Sequence, residues 1–190
     1  MNYCPHCGAA VVFRTPPGDT LPRHVCTRCE TIHYQNPKVV VGSIVEWEGN
    51  ILLCRRAIEP RHGLWTLPAG FMENAESTTQ AAMRETQEEA CANIEVDTLF
   101  ALVNIPGIDQ VHLFYRGRLK DSSHAAGPES LETALFREED IPWSELAFRS
   151  VEYCLRTYLA DRRAGHFVFH ETELPRSEER RVGKECLRLC

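Results

Sequence analysis

The sequence has no run of about 18 apolar residues, so no stretch of it reads as a membrane-spanning helix. It opens Met1-Asn2-Tyr3-Cys4, without a basic stretch leading into an apolar one, so no secretory signal is expected. The chain is therefore assigned to a reducing cytoplasm, where its nine cysteines would mostly stay out of disulfides. It also lacks an excess of positive charge: 21 Lys and Arg stand against 27 Asp and Glu, a formal net charge of -6. That balance argues against tight, non-specific nucleic-acid binding, which needs basic surface to replace counterions. It suits a protein that meets anionic substrates through metal ions. No internal repeat is visible. With 190 residues, 43% of them hydrophobic and 25% charged, the chain has material for one core and a small appendage.

The appendage is expected at residues 1–36, which are rich in cysteine and turn residues and poor in apolar runs. Cys4-Pro5-His6-Cys7 and Cys26-Thr27-Arg28-Cys29 give the spacing C-x2-C-x18-C-x2-C, within the range of a structural zinc site. Two thiolates per knuckle complete a tetrahedron, and so small a segment needs a metal to fold. Two redox C-x-x-C pairs are the other reading; paired knuckles in a core-poor segment favour zinc. Four cysteines fill the coordination, so the site is expected to be closed and structural, and His6, His24 and His33 read as surface residues.

Residues 37–174 read as the main domain. Lys38–Trp47, the Glu48-Gly49-Asn50 turn and residues 51–54 form a β-hairpin pattern. Residues 63–73 read as a loop containing Pro68 and Gly70. A helix follows, with Ser77 and Gln80 as a capping box, residues up to Ala90 in the helix and Asn93 as a left-handed stop. Strands are expected at 95–103 and 111–119, a Gly127-Pro128 loop next, and a short strand at 134–136. A last amphipathic helix covers about 150–163, with Val151, Cys154, Leu155, Tyr158 and Leu159 on one face, and a final strand is expected at 166–170. Mixed strands with interspersed helices predict an α/β sandwich. Cys54, Cys91 and Cys154 read as small buried hydrophobes. Residues 175–190 are charged and aperiodic; they read as a disordered or non-native tail and are left out of the fold.

The central feature is a row of acids. Glu85, Glu88 and Glu89 stand at i, i+3 and i+4, on one helix face, where like charges cost roughly 0.2–0.5 kcal/mol per pair. Two of them lie near the carboxyl end, where the helix dipole disfavours anions. A solvated acidic face is the plain reading of an isolated Glu-x-x-Glu-Glu. A bound hard divalent cation is the chemical one, because Mg2+ takes oxygen ligands and bridges to phosphates. The wider pattern favours the second: Gly70, Glu76, Arg84, Glu85, Glu88 and Glu89 fit G-x5-E-x7-R-E-x2-E-E, and chance matches in this length are on the order of one in 10^5.

In these residues the chain resembles the Nudix hydrolase family, whose motif continues G-x5-E-x7-R-E-U-x-E-E-x-G-U, with U aliphatic. Thr86 and Ala92 stand at aliphatic positions of the motif and Cys91 stands at its glycine. The resemblance implies an α/β/α sandwich around a mixed sheet, preceded by a zinc ribbon. It implies Glu85, Glu88 and Glu89 as ligands of catalytic Mg2+ or Mn2+, joined by the Ala69 carbonyl. Arg84 would orient the glutamates and Glu76 would brace Arg84. A further carboxylate serves as general base in the family, and Glu129 and Glu132 in the Gly-Pro-Glu-Ser-Leu-Glu segment are the candidates, with ordinary loop acids as the other reading.

The resemblance extends over residues 4–170 to plant flavin adenine dinucleotide (FAD) and ADP-ribose pyrophosphatases, which release AMP. It makes a small-molecule nucleotide diphosphate the expected partner and a homodimer an expectation. NADH pyrophosphatases also carry a ribbon, but their S-Q-P-W-P-F-P-like signature is missing from residues 99–110. A non-catalytic module, with a nucleic-acid-binding ribbon (Arg23, His24, Arg28) and a ligand-sensing domain, is the alternative from another class. Trp65, Phe71, Phe114 and Tyr115 are candidates for stacking on a ring or for core packing, and Arg61 and His62 for meeting phosphates or for plain surface charge.

Overall fold

The structure is a computed structural model, and it describes residues 1–175. The expected tail falls almost wholly outside them. The chain divides into two compact units, Met1–Pro37 and the part that begins at Lys38.

The first unit is a small antiparallel sheet of β1 (Val11–Arg14), β2 (Arg23–Cys26) and β3 (Ile32–His33), in that order. Its buried apolar side chains are few: Pro16 and Val25, with Cys4 and Cys26. So little apolar surface cannot offset the ordering of some 37 residues, and a metal held by the cysteines would supply the difference.

The second unit is built on β4 (Lys38–Trp47), β5 (Asn50–Arg56), β6 (Trp65–Thr66), β7 (Ala69–Phe71), α1 (Thr78–Ala90), β8 (Ile94–Ile105), β9 (Gln110–Leu119), β10 (Ser130–Phe136), α2 (Arg149–Ala164) and β11 (His170–Glu173). The sheet runs β10-β5-β4-β9-β8-β11, with β6 on β5 and β7 on β4. It is mixed: β4 with β9 and β8 with β11 are parallel, and the other pairs are antiparallel.

Alternation along the central strands divides the core between the two faces. Ile44, Ile51, Leu53 and Phe114 meet Val151, Cys154, Leu155, Tyr158 and Leu159 of α2. Val41 and Tyr115 meet Ala81 and Ala82 of α1, while Val45, Leu52 and Cys54 meet Ala90 and Ala92 at its end. Each fully buried Leu, Ile or Phe contributes about 1.5–3 kcal/mol. The small residues Ala81 and Ala82, wholly buried, bring α1 close to the sheet. Ser43 on β4 donates to the Ala82 carbonyl at 3.3 Å across that contact.

Helix α1 starts as expected, with the Ser77–Gln80 capping box formed in both directions. It ends at Ala90, as expected, but the left-handed residue comes two positions earlier than expected. Cys91, not Asn93, is the left-handed residue (φ 47, ψ 33), and its N–H donates to the Gln87 carbonyl. The chain must turn at once so that Ala92 and Ile94, both buried, reach the sheet. Cys91 is exposed and Cys54 and Cys154 are buried, so the expected burial of Cys91 is corrected: a left-handed cap points its side chain out of the packing. Thr86, at an aliphatic position of the motif, is fully buried and satisfies its hydroxyl on the Ala82 carbonyl at 2.8 Å.

Two further boundaries differ. The last strand is His170–Glu173 rather than 166–170, because Asp161 on α2 accepts from the Val168 N–H at 3.0 Å and lies 2.8 Å from the His170 ring. Strand β10 begins at Ser130, so the segment read as a loop is half strand, with a register shift between Ser130 and Glu132. Among the described residues, no helix is long and apolar enough to cross a membrane.

Candidate functional site

In the first unit the four cysteines converge. One ligand atom from each of Cys4, Cys7, Cys26 and Cys29 lies within 4.8 Å of the others, and they are the cluster of this kind among the described residues. The sulfur separations are 3.7 Å for Cys4–Cys29, 3.4 Å for Cys7–Cys26 and 3.6 Å for Cys7–Cys29. A tetrahedron with Zn–S of about 2.3 Å has edges of ~3.8 Å, so the thiols fit a zinc ion with little adjustment. The N–H groups of Arg28 and Cys29 each donate to Cys26 Sγ at 3.4 Å. Those donors hold the Cys26 thiol below its ordinary pKa, and the Thr31 hydroxyl and N–H bring Cys29 down to about 6. In the Cys26–Cys29 knuckle these donors favour thiolates, the form a metal binds. In the other knuckle, against the pull of the Ala9 N–H, Cys7 is pushed up to about 11 by the neighbouring Cys26 thiol, by burial and by the Cys29 and Cys4 thiols.

In the second unit α1 and β7 make the site. Pairing of β7 with β4 sets Ala69 against Gly42 and Gly70 against Val41, which brings the start of the motif beside the helix. Gly70 lies directly against Glu85: a Cβ there would come within 2.2 Å of Glu85 Oε2. The Ala69 N–H donates to Glu89 Oε2 at 3.1 Å. Arg84 sits between the acids. Its Nε and Nη2 grip Glu76 at 3.0 and 2.8 Å, Nη1 donates to Glu85 at 2.7 Å and to Glu88 at 3.0 Å, and Nη2 also reaches the Phe71 carbonyl at 3.1 Å. Five such contacts use the whole guanidinium fork, which an ammonium could not do. Glu76 in turn accepts from the Glu73 N–H at 2.6 Å.

The three motif acids are not equivalent. Glu85 and Glu89 are buried at 7% exposure, whereas the Glu88 side chain is 58% exposed and turned to Arg84. Burial raises the Glu85 carboxyl against the pull of Arg84, and burial lifts Glu89 to about 8 against the pull of the Ala69 N–H. Arg84 holds Glu76 down at about 2. The structure thus separates a bracing carboxylate, Glu76, held down by Arg84, from two buried carboxylates that burial pushes up, Glu85 despite its own bond to Arg84 and Glu89 despite the Ala69 N–H. Two such groups side by side form an oxygen-only donor set that fits a hard divalent ion. The three glutamates do not themselves close to single-ion spacing as the cysteines do.

Glu129 and Glu132 part company. Glu129 is exposed at the start of β10, close enough to Glu85 and Glu89 to oppose their ionisation. Glu132, on β10, pairs with Arg55 of β5 at 3.0 Å. Among the aromatics, Trp65 packs edge-on against Phe136, Phe114 lies in the core and Tyr115 is buried with its hydroxyl 2.6 Å from that of Thr78. Phe71, beside Gly70, stays exposed with the Lys38 ammonium 4.9 Å from its ring centre. His62 is exposed, and Arg61 is partly buried in a left-handed turn. Arg56, at the end of β5, lies near enough to Glu89 to favour its charge.

Fold and site together define a hydrolase with an α/β/α sandwich. Residues 36–154 match the NUDIX domain and residues 2–35 match the zinc ribbon described as Nudix N-terminal, so the chain belongs to the Nudix family and carries its ribbon. A crystal structure of a NUDIX hydrolase from Nitrosomonas europaea is 49% identical; it covers 92% of this chain and 100% of its own, with a TM-score of 0.87. An ADP-ribose pyrophosphatase of Methanocaldococcus jannaschii is 29% identical over 119 residues, 60% of this chain and 69% of that one. The NAD-capped RNA hydrolase NudC of Vibrio vulnificus is 34% identical over 103 residues, but this chain spans only 35% of its length.

Proposed function

We propose that this Nudix hydrolase cleaves the diphosphate of a nucleoside diphosphate derivative, with ADP-ribose or FAD as substrate, and releases AMP. The observation that carries the reading is the pair of buried carboxylates Glu85 and Glu89, the first held by Arg84 against Gly70 and the second by the Ala69 N–H. The similarity to an ADP-ribose pyrophosphatase supports the substrate class.

Glu85, Glu88, Glu89 and the Ala69 carbonyl would hold the catalytic Mg2+ or Mn2+. When bound, such ions supply Lewis acidity and acidify a coordinated water. The chain's own part is placement. Arg84 fixes the carboxylate rotamers, and Glu76 fixes Arg84, so the donors are set before substrate arrives. Glu129 takes a proton from the attacking water. The new phosphorus–oxygen bond forms as the bridging one breaks, and two phosphate monoesters result. Glu129 is preferred to Glu132 because Glu132 is engaged by Arg55 on the strand. In the first unit, Cys4, Cys7, Cys26 and Cys29 would hold structural Zn2+. The domain limits that go with this reading are a ribbon at 1–36 and a catalytic domain at 37–174.

A second reading, NADH as substrate, is favoured by the similarity to the NAD-capped RNA hydrolase. One experiment separates them. FAD, ADP-ribose, NADH and diadenosine polyphosphates are each incubated with the protein and Mg2+ or Mn2+, and products are resolved by chromatography. AMP with FMN or ribose 5-phosphate supports the first reading, and AMP with reduced nicotinamide mononucleotide supports the second. No metal-dependent cleavage of any of them sinks both.

A further inference from the structure

The carboxyl end of α1 is closed by a segment distant in sequence. The Ala125 N–H donates to the Ala90 carbonyl at 2.8 Å, and the Gly127 N–H donates to the Glu89 carbonyl at 3.1 Å. These are two of the carbonyls that every helix leaves without an internal partner at its end. Gly127 is buried, and its approach is closer than any side chain allows: a Cβ would come within 1.7 Å of the Glu88 carbonyl oxygen. Its glycine identity therefore answers to contact with the helix that bears the motif acids.

Gly127 also opens a tight turn. The Ser130 N–H donates to the Gly127 carbonyl at 3.0 Å, which makes Gly127, Pro128, Glu129 and Ser130 the four residues of a β-turn. Proline is preferred at its second position, because its fixed φ is the one the turn needs. Glu129 occupies the third, and its carbonyl accepts from the Ala57 N–H at 2.8 Å, at the end of β5. The corner is thus tied to the helix on one side and to the sheet on the other.

We propose that Gly127 is a positioning residue: by letting its backbone lie on the last turn of α1, it fixes the turn that aims Glu129 at Glu85 and Glu89. The inference rests on Glu129 being the general base. Gly127 acts through Glu129, and because it also lies on the backbone of Glu88 and Glu89, metal affinity is the control that separates the two routes. The glycine sets how fast the bound substrate reacts and not how well metal or substrate binds.

The test compares Gly127→Ala, Glu129→Gln and the double variant, all zinc-loaded full chains, in AMP release from ADP-ribose with Mg2+. Mn2+ affinity is read by electron paramagnetic resonance. Loss of a general base costs about 100-fold or more, so Glu129→Gln should fall by that factor in kcat. Gly127→Ala should lose at least about tenfold in kcat, keep KM and Mn2+ affinity within about threefold, and add nothing to Glu129→Gln in the double variant. Normal turnover by Gly127→Ala overturns the proposal, as does an additive double variant or a loss of Mn2+ affinity that matches the loss of rate. If Glu129→Gln turns over normally, the base assignment fails instead. Should Gly127→Ala not fold, Ala125→Pro deletes the neighbouring donor to Ala90, and the same kcat, KM and double-variant pattern decides.

Discussion

Gly70 and Glu85 occupy one another's space: the glycine has no Cβ where the carboxylate Oε2 lies, 2.2 Å from the position that atom would take. The backbone of β7 and a buried acid of α1 are therefore packed to contact, and the acid's direction is fixed by a missing atom. Gly70→Ala should push Glu85 out of this place. The clash is with the free end of a flexible side chain, so the fold should survive at little cost while turnover falls by more than about tenfold. Steady-state rates and thermal unfolding of the variant check this.

Arg84 and Glu76 give the site an acid sensitivity. Glu76 is held at about 2 in the folded chain against an ordinary value near 4.5. A carboxyl depressed by folding stabilises the fold at pH above its unfolded value, and that contribution is lost as pH falls through the folded one. The melting temperature should thus decline between roughly pH 5 and pH 2. The decline should be shallower in Glu76→Gln, which starts less stable at pH 7. Parallel slopes would show that the Arg84 fork does not rely on Glu76.

Cys91 holds a left-handed conformation at φ 47, where an L side chain costs roughly 1 kcal/mol relative to glycine. Cys91→Gly should therefore stabilise the chain by about 0.5–1 kcal/mol and leave turnover unchanged. Chemical denaturation midpoints measure it, and a lower midpoint would mean that the cysteine makes contacts worth more than the strain.

Removal of zinc should melt the first unit and spare the second. Chelation, or Cys26→Ser, is expected to abolish the order of residues 1–37, since their buried apolar residues are few. The transition of the α/β/α unit should remain, as amide exchange will report. Retention of exchange protection on Val25 without metal would contradict this.

The sequence made the hairpin, both helices, the capping box and the cysteine cluster legible, because each is written in local spacing. The acids too were legible as a set. Their division was not: burial separates Glu85 and Glu89 from Glu88, and it depends on how β7 lies over the helix. The left-handed turn falls at Cys91, where the motif has glycine, rather than at Asn93, which only its residue type suggested. Glu132 looked equivalent to Glu129 until β10 proved to start at Ser130 and paired it with Arg55. Gly127 carries only a turn signal in sequence, and its contact with α1 spans nearly forty residues of chain.

The most direct measurement is the rate of AMP release from ADP-ribose by Glu89→Gln with saturating Mg2+, set beside its melting temperature without divalent ions. Burial holds Glu89 at about 8 in the free protein, so its charged form burdens the fold, and the neutral amide should leave the melting temperature at pH 8 equal or higher. The rate should drop by at least about 100-fold. A variant that melts normally and still turns over at close to the parent rate would show that this carboxylate does not hold the reacting centre.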